Sequence, residues 1–377
     1  MLKKQRLQQS AFTLFTSLVF THSAYATNNF IAVNQIPKFS NPQEHTVMTN
    51  KINSNLIIAD KPRTQYPTTT EFVTVEFGMH QVLVPKGGFY DRFHTKPDLE
   101  EVTKDPRIGN VDFFRKIPKK LVDTYVGKVW SPNYYYQSSQ VQLLMLAPLD
   151  KLKAKLPAKV EPLSLIPGYG LVSLTFYAYN ICDNDPYDEV SVAVVVRRPN
   201  AKGSSIAELI SSIRKHEYYG YVLALPVDTE IARVRGVYGY HLPKWLTAID
   251  LKIDDHVQAH LYDTHGNVDI RLSAPTPKLK TVKNLSHQEK KTLLNQVDGI
   301  WYSSYVQVNN QTFTQKFFPK NVELIRSNGP VSQLLDQLGA KKILRMDVIK
   351  DAQLALHMPI LIDEWNNKSM FNEQKGW

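Results

Sequence analysis

The run PYDEVSVAVVV, residues 186–196, decides the fold class. Five valines fall within its last seven residues, and β-branched side chains fit a pleated strand better than a helix. Working outward, the same composition recurs in LVSLTFYA (171–178) upstream, and downstream in YVLALPV (221–227), VQAHLYD (257–263), VDIRLSA (268–274), WYSSYVQV (301–308), QTFTQKFF (311–318) and KILRMDVI (342–349). Polar turns such as DTHGN (263–267) and NNQ (309–311) are expected between several of them. Helix signals are few. Ser205-x-x-Glu208 reads as a capping box ahead of Ile206, Leu209, Ile210 and Ile213 on one face, Ser286-x-x-Glu289 as another, and SQLLDQLG (332–339) closes on a glycine. No regular strand–helix–strand alternation appears, so the expectation is a mainly β protein (α+β) built on an antiparallel barrel or sandwich.

The first residues read as an export leader. Lys3, Lys4 and Arg6 precede the apolar AFTLFTSLVF, and Ala24-Tyr25-Ala26 is a small-x-small cleavage site. That apolar run is too short for a bilayer span, which needs about 20 residues, and no later segment is apolar enough. The expected organisation is a signal peptide (1–26) cleaved after Ala26, an N-terminal extension (27–130), a β-barrel domain (131–365) and a tail (366–377), in a periplasmic or secreted protein. Within the extension, PRTQYPTTT reads as a linker, FVTVEFGMHQVLV as a hairpin turning near Gly78, and PKKLVDTYV as a short helix ending at Gly127.

The formal charge is +10, with a denser basic run at KLKTVKNLSHQEKK (278–291). It lacks interleaved aromatics, so nucleic acid is not an expected partner and a solvated face is. Cys182 is the single cysteine, which excludes an intramolecular disulfide, and its acidic setting in YNICDND does not suit a reactive thiol.

DDHVQAHLYDTHG gathers His256, His260 and His265. Alternation with Val257, Ala259 and Leu261 makes it a strand with one polar face, on which His256 and His260 stand about 13 Å apart, too far to share a zinc. No metal and no cofactor is expected. Walker A, HExxH, GxGxxG and GxSxG motifs are absent.

Lys244 stands out. GYHLPKWL (239–246) sets a lysine among Leu242, Pro243, Trp245 and Leu246. Burial disfavours the charged form of a lysine, and a neutral amine can attack a carbonyl to form a Schiff base. A lysine whose stem packs on Trp245 while its head reaches water fits the same residues, and the local sequence leaves both readings open.

DTEIARVRGVYGYHLPKW (228–245) resembles the lysine-bearing segment of the acetoacetate decarboxylase family, with Asp228, Glu230, Ala232, Gly236, Pro243 and Lys244 in register. Tyr187 and Glu189 match that family's tyrosine-x-glutamate motif, and SNGPVSQLLDQLGAKKILRMDVI (327–349) is similar to its C-terminal segment. The resemblance spans about two-thirds of the chain. It implies an acetoacetate decarboxylase-like barrel with a few short flanking helices, an apolar pocket, and Lys244 as Schiff-base nucleophile, the example by which lysine activation is usually illustrated. Glu189 would handle protons or orient the amine. Tyr187, Tyr238, Tyr240, His241 and Trp245 would wall the pocket. The sequence departs from the family where a second lysine would follow the nucleophile (Trp245), in the approach helix (Val237-Tyr238), where a carboxylate-binding arginine would stand (Ser138), and at a second pocket glutamate (Leu174-Thr175). IPKKL (117–121) carries Pro-Lys-Lys without the preceding acidic segment, so Lys119 and Lys120 are expected on an exposed helical turn.

The resemblance therefore implies a carbon–carbon lyase, a decarboxylase acting on a small β-keto acid and open to homo-oligomer formation, and the leader adds export. Two alternatives stand beside it: a Schiff-base aldolase or dehydratase on another keto acid, and a non-catalytic exported barrel that binds a small apolar molecule.

Overall fold

The computed structural model describes residues 71–124 and 127–362. The leader with its cleavage site, the PRTQYPTTT linker and the tail from 366 lie outside them. Eighteen strands follow one another along the described chain: β1 (Phe72–Phe77), β2 (His80–Pro85), β3 (Lys120–Thr124), β4 (Gly127–Ser131), β5 (Asn133–Pro148), β6 (Ser164–Ile166), β7 (Tyr169–Cys182), β8 (Tyr187–Val195), β9 (Glu217–Ala224), β10 (Ile249–Ile253), β11 (His256–Tyr262), β12 (Val268–Pro275), β13 (Lys280–Thr281), β14 (Gln288–Val297), β15 (Ile300–Phe317), β16 (Glu323–Arg326), β17 (Lys342–Leu356) and β18 (Ile360–Ile362). Seven of them close on themselves in the order β15-β14-β9-β8-β7-β5-β17, with β17 pairing back onto β15. The mainly β class and the barrel with few helices are as expected. The ladder is not wholly antiparallel, because β9 and β14 run parallel.

A four-stranded sheet, β10-β11-β12-β16, covers one outer face of the barrel. This layer explains the valine run. Side chains alternate across a strand, and Val190, Val192 and Val194 of β8 point outward into a core shared with Val172, Leu174 and Phe176 of β7 and with Ile249, Val257 and Leu261 of the outer sheet. Burying each such side chain stabilises the fold by roughly 1.5–3 kcal/mol. The opposite register of the same strands, Glu189 and Ser191 on β8 with Tyr177 and Tyr179 on β7, faces into the barrel. The largest apolar cluster thus lies outside the barrel wall, which frees the interior to be polar on that side.

Four local expectations are corrected. PKKLVDTYV is not a helix: Lys120–Thr124 pairs with β4 as a two-stranded ribbon, since Val122 finds a cross-strand partner in Val129. Ser286-x-x-Glu289 does not open a helix either, because β14 is held between β9 and β15 and tertiary pairing overrides the capping signal. NNQ is no turn. It lies inside the 18-residue β15 at a register shift opposite β17, where the buried Asn309 amide donates to Gln353 at 3.0 Å. The helix Ser205–Lys215 exists, but its cap is Ser204, whose hydroxyl accepts from the Ala207 N–H. Glu208 is drawn to Arg197 instead (2.8 Å), and Ile206, Ile210 and Ile213 are exposed.

The hairpin β1–β2 forms across Gly78, whose φ of 59° suits glycine. Helix Pro330–Leu338 ends on Gly339 in the left-handed region, as SQLLDQLG predicts. β11 alternates as expected, with Val257, Ala259 and Leu261 buried. Phe77, Val82 and Val84 of the hairpin share a core with Tyr135, Leu242 and Leu354. Cys182 is buried, its thiol donating to the Asp185 carbonyl at 3.0 Å, and burial holds its pKa well above the usual thiol value.

Candidate active site

Three extended segments running side by side bring Lys244 to Glu189. After β9, the Leu225 N–H donates to the Pro243 carbonyl (3.0 Å) and the Val227 N–H to that of Trp245 (2.9 Å). On the other flank the Val190 N–H donates to the Pro226 carbonyl at 3.0 Å, and Glu189 bridges Val227. Residues 228–242 are therefore an excursion pinned at both ends: a short helix (Glu230–Val234), a π-turn (Arg235–Gly239), and His241 at φ 55°, which turns the chain back toward Pro243.

The Lys244 Nζ stands 2.6 Å from Glu189 Oε2. Both residues are 6% exposed. Tyr179 donates its hydroxyl to the other carboxylate oxygen at 3.1 Å, and the Lys244 ammonium lies 5.6 Å from the centre of the Tyr187 ring. The Tyr187 and Tyr135 hydroxyls are 3.0 Å apart. Burial, with the Glu189 charge adding to it, pushes the Tyr135 and Tyr179 pKa values well above the usual phenol value, so both stay neutral donors. Lys244 and Glu189 line a cavity of about 70 Å³. Its far walls are apolar, including Val222, Leu293, Val306 and Leu354.

Gly236 makes room for the lysine stem. A Cβ there would fall 2.5 Å from Lys244 Cε and closer still to Cδ, and Leu242 N–H to Gly236 carbonyl bonding (3.0 Å) holds the two segments together. Gly236→Ala is expected to leave the fold intact but push the amine off Glu189. A misplacement near 1 Å can cost about 100-fold in rate, so imine trapping at Lys244 should fall by about that factor. Trapping at the wild-type rate with an unchanged melting temperature would refute the crowding argument.

None of the five residues expected to wall the pocket is among those lining this cavity; Tyr187 reaches it through Tyr135 and Lys244. Tyr238 stacks on His80 at 3.9 Å, and His241 on Tyr302 at 3.9 Å. The buried Tyr240 donates to the Leu356 carbonyl at 3.4 Å, its pKa pushed up by burial to about 12. Trp245 packs against the outer core. Ser138, at the place of the missing arginine, is buried and donates to the Ala352 carbonyl at 3.1 Å. Lys119 corrects another expectation. Only Lys120 is exposed; the Lys119 ammonium is buried against Asp183 and lies 4.1 Å from the centre of the Tyr134 ring. Burial brings its pKa down to about 8 although Asp183 opposes the shift. It is not among the cavity residues.

Sequence reading missed Tyr135, Tyr177, Tyr179, Gln140 and Lys291, which all line the cavity. Their signal was the polar half of each strand's alternation. Lys291 stands 3.7 Å from Glu289, whose carboxylate also meets His287 at 3.4 Å. Burial would raise the Glu289 pKa, but the His287 hydrogen bond and the Lys291 charge outweigh it and hold the pKa down to about 2, from 4.5. A carboxylate with a depressed folded-state pKa adds stability above its unfolded value, and that stability is lost as pH falls toward the folded one. Stability should therefore drop between pH 4.5 and about 2, and Glu289→Gln should flatten that part of the profile. An unchanged acid limb in denaturant titrations of the variant would exclude this source.

No family model and no curated protein sequence matches the chain. Among solved structures it is similar to an acetoacetate decarboxylase, at 16% identity over 63% of this chain and 91% of that one, with a TM-score of 0.45. Acetoacetate decarboxylase from Legionella pneumophila is similar at 16% identity over 65% of this chain and 91% of that one, with a TM-score of 0.44. The enduracididine biosynthesis enzyme MppR complexed with pyruvate is similar at 12% identity over 66% of this chain and 100% of that one, with a TM-score of 0.45.

Proposed function

We infer that the chain is a lysine-dependent lyase that condenses Lys244 with a small β-keto acid and releases carbon dioxide. The leader-like first 26 residues support export as part of the same reading. The observation that carries it is a buried amine 2.6 Å from a buried carboxylate on the wall of a cavity.

Each group has a task. As the ketone enters, Glu189 Oε2 takes a proton from the Lys244 ammonium, and the amine attacks the carbonyl carbon. Glu189 returns the proton to the carbinolamine hydroxyl, which leaves as water. The resulting iminium accepts the electron pair of the breaking carbon–carbon bond, so carbon dioxide departs and an enamine remains. Protonation at carbon and hydrolysis free the product and Lys244. The same iminium would support aldol or dehydration chemistry on a keto acid that does not lose carbon dioxide. The closed Lys244–Glu189 ion pair and the apolar far walls also fit a barrel that only binds a small apolar molecule.

Borohydride separates these readings. Incubation with acetoacetate and reduction should leave an isopropyl group, the ligand less its carbon dioxide, on the peptide holding Lys244 and not on the one holding Lys119 and Lys120; an adduct that keeps the carboxylate would favour the aldol or dehydration reading. No adduct with any of a panel of short keto acids would leave the binding barrel as the reading.

A further inference from the structure

Two polar groups of the cavity take no part in the chemistry at Lys244. Gln140 of β5 is 1% exposed and lines the cavity, yet neither its amide nitrogen nor its amide oxygen has a hydrogen-bond partner. Buried polar groups are nearly always paired, and an unpaired one calls for an occupant that completes it. Lys291 of β14 lines the same cavity. Its nearest acid, Glu289, is 3.7 Å away, beyond hydrogen-bond length, and is shared with His287. The other charges that bear on Lys291 are Asp347 and Arg345, which pair with each other at 2.8 Å. An ammonium has three donors, and these are left for a ligand.

The barrel register sets these groups relative to the reactive pair. Gln140 lies directly across from Tyr177, and Tyr177 directly across from Glu189. All three share the inner face, and the amide sits two strand spacings, about 10 Å of wall, from the carboxylate that holds Lys244. Gln140, Lys291, Glu189 and Lys244 all line the one cavity.

We propose that Lys291 and Gln140 form an anion subsite, which holds the carboxylate of a short keto acid while its carbonyl carbon lies at Lys244. The carbonyl half rests on the lysine chemistry inferred above; the anion half rests on Lys291 and Gln140 alone. The ammonium donates to one carboxylate oxygen and the Gln140 Nε2 to the other, a charge-assisted pair. Gln140 Oε1 is left to accept from a water that enters with the ligand. The cavity holds about 70 Å³, against the roughly 150 Å³ that takes up benzene. The site is therefore sized for a small ligand. Specificity for an acid over the matching neutral ketone then comes from residues remote in sequence from Lys244.

Butyrate tests the anion half, because it has the carboxylate and no carbonyl to condense. Calorimetry should show butyrate binding to the wild-type chain. Affinity should fall by about tenfold or more in Lys291→Met and in Gln140→Leu, as loss of a hydrogen bond to a charged group implies, and Lys291→Arg should keep most of it. In parallel, borohydride trapping of acetoacetate should drop in Lys291→Met while trapping of butanone stays within about twofold, since the neutral ketone never used the subsite. No butyrate binding by the wild type, or equal binding by wild type and both variants, would overturn the proposal. Equal loss of acetoacetate and butanone trapping would overturn it too, by showing general damage to the cavity. If the wild type traps neither ketone yet butyrate binding still falls in Lys291→Met, the lyase reading fails and the subsite stands. Should Lys291→Met fail to fold, Gln140→Leu, similar in shape and without change of charge, decides alone.

Discussion

Lys244→Arg is expected to abolish imine trapping and to lower turnover of any β-keto acid substrate on the order of 10⁴-fold, as loss of a covalent nucleophile does. The variant separates charge from reactivity. A guanidinium stays protonated and can still meet the Glu189 carboxylate, so the barrel should fold with a melting temperature near that of the wild type. The stem cavity beside Gly236 accepts the extra length poorly, and a shift of a few degrees would be no surprise. Decarboxylation that persists in this variant with no adduct trapped on any lysine would end the Schiff-base mechanism; Lys291 is the other lysine among the described residues lining the cavity. Mapping any residual adduct to the Lys291 or the Lys119 peptide would identify a substitute directly.

The strands were legible because their composition is. VSVAVVV, LVSLTFYA and YVLALPV all carry β-branched residues at a density that few helices tolerate. Which face looks inward was not legible. Both faces of β8 are largely covered, the valines by the outer sheet and Glu189 with Ser191 by the barrel interior, and a strand covered on both sides gives no amphipathic contrast to read. Gln140 and Lys291 were invisible for a related reason: closure brings strands from opposite ends of the domain to one cavity, and spacing along the chain records nothing of it. Lys119 failed differently. Its partner Asp183 is 64 residues away, so a segment that looks solvated on its own is neutralised at a distance. Lys244 and Glu189 could be paired in advance only through the order of their flanking motifs. What the three-segment arrangement adds is the cause: the backbone of residues 225–227 stitches residues 188–190 to 243–246.

The second large effect concerns stability. Removing one member of a buried ion pair strands the other charge, at a cost of about 3–5 kcal/mol. That is a large part of the roughly 5–15 kcal/mol that holds a domain together. Lys244→Met should therefore destabilise the chain by about that amount, and so should Glu189→Leu. The double variant should not add the two losses. With both charges gone, the apolar walls at Val222 and Leu293 extend across the site, and an apolar replacement of a buried pair is commonly neutral or stabilising by about 1–4 kcal/mol. Denaturant titrations of the four proteins close the cycle, and a coupling of about 3 kcal/mol or more between the two sites is the expected result. This outcome bears on function as well as on stability. A pair that the fold can lose without penalty, as long as both partners go together, is not there to hold the barrel shut. Its amine and carboxylate would be retained for chemistry. If the double variant instead lost as much as the two singles summed, the pair would be structural, and the ligand-binding barrel would become the better account of the molecule.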